Sequence, residues 1–245
     1  SDLIEAAGHI PLPPYVNRED EGEDNIRYQT VYSTVKGSVA APTAGLHFSE
    51  NVFAGISNKD IKPVELTLHI GAGTFKPVKT SNISKHEMHC EHFIITRELV
   101  EEIMAFEGKI IAVGTTTVRT LESLYWIGVR MLGQKSVKNT GISIGQWEPY
   151  LNEGNISVRQ SLESVLSYFT GRGTTVLNAS TKIMLIPGYK FRMIKGMITN
   201  FHQPKSTLLL LLSAWTGPDW KRIYNYALEN NFRFLSFGDS SLLMK

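Results

Sequence analysis

Lys109 to Val113 is a short apolar run that stops at Gly114-Thr115-Thr116, and from about Thr117 to Leu132 apolar residues recur at helical spacing. A buried strand, a glycine turn and an amphipathic helix, in that order, restrict the chain to folds in which helices cover a sheet. The neighbouring segments repeat the theme. Pro63 to Ile70 alternates apolar and polar residues as a strand does and ends at Gly71-Ala72-Gly73, while Lys182 to Ile186, Arg192 to Thr199 and Phe232 to Ser236 also read as strands. Helices are expected after a Ser49 cap to about Ser57, and over Arg97 to Phe106, Ser206 to Trp215 and Trp220 to Asn230. Residues 133–180 carry weak periodicity and many Gly, Ser and Asn, and read as an insertion with one amphipathic helix near Val158 to Phe169. The expected fold is α/β, a layered mixed sheet with helices on both faces, in one main domain over residues 1–245.

At 245 residues the chain can bury a sizeable core. The single cysteine, Cys90, excludes an intrachain disulfide framework and suits a reducing compartment. The longest apolar run, Leu208 to Leu212, is far too short to span a bilayer, and no secretory pattern opens the chain. No membrane association is expected, and the cytoplasm is the expected location. Net charge is only +2, but no Asp or Glu falls between Ser164 and Pro218, where Arg172, Lys182, Lys190, Arg192, Lys195 and Lys205 all lie. Such a stretch can either make a positive face that neutralises phosphates or be scattered, solvated positions.

Polar residues flanked by glycine gather where strands are expected to end. Three loops stand out: His69-Ile70-Gly71-Ala72-Gly73-Thr74-Phe75, Gly114-Thr115-Thr116-Thr117-Val118-Arg119 and Thr199-Asn200-Phe201-His202. Loops beyond the carboxyl ends of strands form the binding crevice of an open α/β sheet. Glycine lets a backbone approach a ligand, threonine hydroxyls bond ribose or carboxylate groups, and a helix opening at Gly114-Thr115-Thr116 favours an anion. Gly71-Ala72-Gly73 lacks the third glycine and opening helix of a dinucleotide fingerprint. His47, His69, His86, His89, His92 and His202 all fall in these or similar polar loops, and histidine suits proton transfer near neutral pH. His86 to His92 has the donor types of a metal site, three histidines with a thiol and carboxylates, but a spacing that fits no standard motif.

Taken together, these segments resemble the S-adenosylmethionine:tRNA ribosyltransferase-isomerase family of queuosine biosynthesis. The resemblance runs from Tyr28-Gln29-Thr30-Val31-Tyr32 and Val39-Ala40-Ala41-Pro42-Thr43-Ala44-Gly45-Leu46-His47-Phe48 through Thr67 to Val78 and His86 to Glu91. It continues in Val113 to Ser123, Pro187-Gly188-Tyr189, Thr199 to His202, Lys205 to Leu208 and Arg233 to Asp239. The chain departs from the family's pattern at Lys195, where Asp is usual, at Gln203, and in the length of 133–180. The family's preceding segment and its additional small β-barrel domain are not visible in this sequence.

The resemblance implies a transferase-isomerase that uses S-adenosylmethionine as ribosyl donor and tRNA as acceptor. The ribosyl group would pass to a 7-aminomethyl-7-deazaguanine base at the wobble position, giving epoxyqueuosine with release of adenine and methionine. It implies His47 or His69 as the base that removes a proton beside the sulfonium, and His89, Glu91 or His202 as the group that protonates adenine or orients the base. Thr115, Thr116 and Arg119 would hold the methionine carboxylate or ribose. Thr43, Gly45, Gly71, Gly73, Thr74, Glu122 and Asn200 would line the substrate, and Asp239 would bind a hydroxyl or amine. Lys76, Lys190 and Lys205 would meet tRNA phosphates. No metal and a monomeric chain are expected. The other readings are a paralogue that uses S-adenosylmethionine on a different acceptor, a metal-dependent hydrolase built on His86 to His92, and an RNA-binding module without catalysis.

Overall fold

The protein is described by a computed structural model over residues 12–13, 15–16, 18–33, 41–69, 80, 82–133, 141–151 and 155–245. Its strands are β1 (Thr67–His69), β2 (Glu91–Thr96), β3 (Ile111–Val113), β4 (Ile142–Ile144), β5 (Val176–Thr181), β6 (Gly196–Asn200) and β7 (Ser240–Met244). The longer helices are α1 (Glu50–Ser57), α2 (Arg97–Ala105), α3 (Thr115–Gly133), α4 (Val158–Arg172), α5 (Thr207–Thr216) and α6 (Trp220–Glu229). A 3-10 turn over Thr43–His47 precedes α1.

The fold is mixed α/β, as expected, and its described strands form two mixed sheets. The first has the order β1-β2-β5-β4, antiparallel except for the parallel pair β4 and β5. The second has the order β3-β6-β7, with β3 parallel to β6 and β7 antiparallel to it. Helix α3 joins them, since it packs against strands of both. Its interior is apolar where it meets them: Val118, Leu121, Leu124, Tyr125 and Ile127 are buried in the core with Phe93, Ile95, Ile144 and Met197.

Helix α4 lies along α3, and Gly128 makes their approach possible. A side-chain carbon there would sit 2.2 Å from the Ser161 carbonyl oxygen, so only glycine fits without the helices parting. Ser161 and Ser164 use the closeness, donating to the carbonyls of Tyr125 at 2.6 Å and Gly128 at 2.7 Å. Helix α4 opens on a Ser157–Gln160 capping box and closes on Gly173 in the left-handed region, so its ends are fixed locally. The stretch expected as an insertion therefore contributes β4, α4 and most of β5, and places Ile142, Ile144, Leu162, Val165, Phe169, Leu177 and Ala179 in the core.

Several boundaries differ from those expected. Lys182 to Ile186 is no strand, because the chain leaves the ladder at Thr181, whose hydroxyl accepts the Ile183 amide at 2.9 Å. The strand expected from Arg192 begins only at Gly196, because the Arg192 and Met193 amides are turned toward the Glu122 carboxylate. Phe232 to Ser236 forms no ladder: Asn231 and Leu235 have positive φ, and Phe232 and Phe234 pack on Phe201. Ser49 precedes α1 as expected, but its side chain makes no capping bond. No helix among the described residues is long and apolar enough to cross a membrane.

Candidate active site

The parallel pair β3 and β6 sends both carboxyl ends to one side, and polar groups collect there. Gly114, with φ +88°, turns the chain from β3 into α3, and its amide donates to Ile198 of β6 at 2.8 Å. A side-chain carbon at Gly114 would lie 3.6 Å from the Ala44 methyl, so the 3-10 turn over Thr43–His47 sits against the start of α3. That turn also touches β6. His47 Nε2 is 2.9 Å from Oδ1 of Asn200, the last residue of β6. As the amide oxygen only accepts, the bond requires the proton on Nε2. Gly45 is packed so closely that a side-chain carbon would fall 2.1 Å from the Tyr32 hydroxyl. Thr115 is buried and Thr116 half-buried in the first turn of α3, where backbone N–H groups have no helical partner.

His202 follows β6 and is buried, its Nε2 lying 2.8 Å from the Thr199 hydroxyl. Its amide donates to the Tyr224 hydroxyl at 2.8 Å. Burial pushes its imidazole down to about 4, so the ring is neutral near pH 7. A neutral ring suits it to orienting a partner rather than to supplying a proton.

A second cluster joins β2 to α3. His89 Nε2 lies 2.8 Å from Glu91 Oε1, and Arg119 Nη1 reaches the same oxygen at 3.1 Å. The Arg119 and Glu91 side chains are 3% and 2% exposed, whereas that of His89 is 17% exposed. Arg119 Nε donates to the Ile183 carbonyl at 3.2 Å, which turns the guanidinium inward. Burial opposes the charge of Glu91, but Arg119 and His89 outweigh it and hold the carboxyl below its ordinary range. Among the described residues, Glu91 Oε2 and Arg119 Nη2 have no hydrogen-bond partner. Since Thr115 and Arg119 are four residues apart on one helix, about 6 Å along its axis, both clusters flank the opening of α3.

Other expected residues lie elsewhere. Glu122 is fully buried, and its oxygens accept from the Tyr189 hydroxyl at 2.7 Å and from the Arg192 and Met193 amides at 3.0 Å. Burial pushes its carboxyl above the ordinary range. Where the resemblance implied a substrate contact, the geometry gives Glu122 protein donors on both oxygens. Asp239 accepts from the Arg233 amide and closes the loop before β7. His69 is half-buried in β1 opposite His92, which is exposed. Lys190 and Lys205 are exposed. Gly71, Gly73, Thr74 and Lys76 lie outside the described residues. Among the described residues, no group of three or more His, Cys, Asp or Glu side chains is placed to hold a metal ion.

Two residues have supporting tasks that the sequence does not signal. Tyr224 holds the His202 backbone, and its place among the apolar residues of α6 carries no signal of that task. Tyr189 supports Glu122 and accepts from Trp126 Nε1 at 3.0 Å; only its place beside Pro187-Gly188 marked it.

Residues 1–243 match a family described as queuosine biosynthesis protein. The chain is 39% identical over 248 aligned residues to the S-adenosylmethionine:tRNA ribosyltransferase-isomerase of Burkholderia orbicola, covering 100% of this chain and 59% of the relative. It is 41% identical, with the same coverage, to the enzyme of that name from Cupriavidus pinatubonensis. A solved structure of the S-adenosylmethionine tRNA ribosyltransferase from Thermotoga maritima superposes with a TM-score of 0.52 at 25% identity, covering 82% of this chain and 51% of the other. The chain thus spans 59% of the length of these two curated relatives.

Proposed function

The chain belongs to the queuosine biosynthesis protein family, and we propose that it carries the proton-transfer and donor-binding groups of an S-adenosylmethionine:tRNA ribosyltransferase-isomerase. In this reading the ribosyl group of S-adenosylmethionine passes to 7-aminomethyl-7-deazaguanine at the tRNA wobble position. It is isomerised to the epoxycyclopentanediol of epoxyqueuosine, and adenine and methionine leave. The sulfonium acidifies the adjacent ribose carbon. A base removes a proton there, the ring opens, and the acceptor amine attacks.

The observation that carries the reading is the His47–Asn200 pair beside the Gly114 turn. With its proton fixed on Nε2, His47 has its basic lone pair on Nδ1, which suits it to remove the proton beside the sulfonium. His89 protonates the departing adenine. Neutral His202, with Thr199, orients the reacting groups. Thr115 and Thr116, at the open end of α3, receive the methionine carboxylate, as a helix N-terminus favours an anion. Lys190 and Lys205, in a stretch without acidic residues, meet tRNA phosphates. Soluble, cytoplasmic work on tRNA, without a metal, completes the proposal.

The test is adenine release, followed by chromatography, when the protein is mixed with S-adenosylmethionine and tRNA bearing the deazaguanine base. Adenine formed only with that tRNA is the expected result. Adenine formed equally well with tRNA lacking the base would move the acceptor elsewhere and favour the paralogue reading.

A further inference from the structure

The buried pair Glu91–Arg119 is not explained by stability alone. An ion pair withdrawn from water recovers through mutual attraction little more than its desolvation costs, and a well-packed apolar pair is often as stable. This one also leaves a polar atom on each partner, Glu91 Oε2 and Arg119 Nη2, without a hydrogen bond among the described residues, which adds to the cost. What the pair does accomplish is visible at His89. The two-residue step from His89 to Glu91 brings the ring nitrogen to 2.8 Å from Oε1, and Arg119 Nη1 reaches that same oxygen at 3.1 Å.

An ionised carboxylate is an acceptor only, so the 2.8 Å bond requires a proton on His89 Nε2. Arg119 Nη1 is also 3.4 Å from Nε2, but a guanidinium only donates and Nε2 then has no lone pair to offer. The arginine therefore acts on the carboxylate and not on the ring. Its Nε bond to the Ile183 carbonyl keeps it from swinging away. Three supports, from the start of β2, from α3 and from the chain after β5, converge on one imidazole tautomer.

We propose that Glu91 and Arg119 are positioning residues that hold the His89 ring with Nε2–H turned to the carboxylate, so that His89 gives and takes its proton at Nδ1. The proton balance is simple. A neutral ring accepts a proton on Nδ1 and becomes an imidazolium. When the imidazolium gives that proton to a leaving nitrogen, the Nε2–H form returns, still bonded to Glu91. The inference rests on the reading of His89 as the proton donor to adenine, but the ring's tautomer can be read without any substrate.

Nitrogen-15 spectra of histidine-labelled protein, at a pH where the ring is neutral, report the tautomer directly, and loss of a signal in His89→Gln assigns it. The expected wild-type spectrum is that of the Nε2–H form. In Glu91→Gln, where the amide can donate as well as accept, His89 is expected to become a tautomer mixture. The kcat for adenine release should then fall by about 10²-fold or more, with KM for S-adenosylmethionine changed less than about threefold. An Nδ1–H ring in the wild-type protein overturns the inference, and so does a Glu91→Gln protein with unchanged tautomer and turnover. The wild-type spectrum serves even if the variant does not fold. An Nε2–H ring in a protein that releases no adenine would support the positioning inference and remove the ribosyl-transfer reading.

Discussion

Glu91 and Glu122 are both buried carboxylates against helix α3, one held through Arg119 and the other carried by the helix itself, yet their acidities move in opposite directions. Burial raises both. Around Glu91 a guanidinium and an imidazole reverse that push. Around Glu122 the donors are the neutral hydroxyl of Tyr189 and two backbone amides, and burial prevails. The lesson is that depth does not decide which carboxylate stays charged; the charge of its partners does. Glu91 is thereby fit to hold a histidine at the site, and Glu122 to shape the turn between Tyr189 and β6.

The sharpest break of this comparison is Arg119→Leu. It strands Glu91 in the interior without its cation, and should cost about 3–5 kcal/mol in chemical denaturation. Removing both charges, as in Glu91→Leu with Arg119→Leu, should recover most of that loss without restoring turnover. If Arg119→Leu costs no more than an ordinary surface change, the ion pair does not distinguish the two carboxylates.

A smaller effect is expected at Glu122. Glu122→Gln replaces an accepting oxygen by an amide N–H among the Tyr189 hydroxyl and the Arg192 and Met193 amides, so at least one of their hydrogen bonds is lost, and it should cost about 1–3 kcal/mol. The pH dependence carries the comparison further. Because the pKa of Glu122 is pushed above the ordinary range, its contribution is full below about pH 4.3 and is lost as pH rises through the folded value. Glu91 is pushed the other way, so its contribution is present above that ordinary value and is lost as acid protonates the folded carboxylate. Denaturation midpoints across pH should therefore lose their high-pH decline in Glu122→Gln and part of their acid-side decline in Glu91→Gln. The same change of profile in both variants would dissolve the distinction.

Which parts of this were legible in advance follows from what local sequence encodes. The Lys109 to Leu132 strand, turn and helix were legible because period and glycine are local signals, and they gave α3, the helix that joins the sheets. Strand β5 was not, because Val176-Leu177-Asn178-Ala179-Ser180-Thr181 gains its β character from pairing on both sides with β2 and β4. Phe232 to Ser236 looked like a strand because aromatic residues favour pleated surfaces, but here the rings pack on Phe201 instead. At the site, the loops at Thr43–His47, Gly114–Thr116 and Thr199–His202 were visible from their glycines, threonines and histidines. The partners were not: the meeting of Asn200 with His47, and of Arg119 with Glu91, depends on how β6 and α3 are registered against distant chain.

The most direct test sets the two carboxylates against each other in one assay. Glu91→Gln and Glu122→Gln proteins, each corrected for the folded fraction, would be compared with wild type for adenine release from S-adenosylmethionine with acceptor tRNA. Turnover reduced by about 10²-fold or more in Glu91→Gln, and within about threefold of wild type in Glu122→Gln, is the predicted result. Equal losses in both, or the larger loss in Glu122→Gln, would contradict the account.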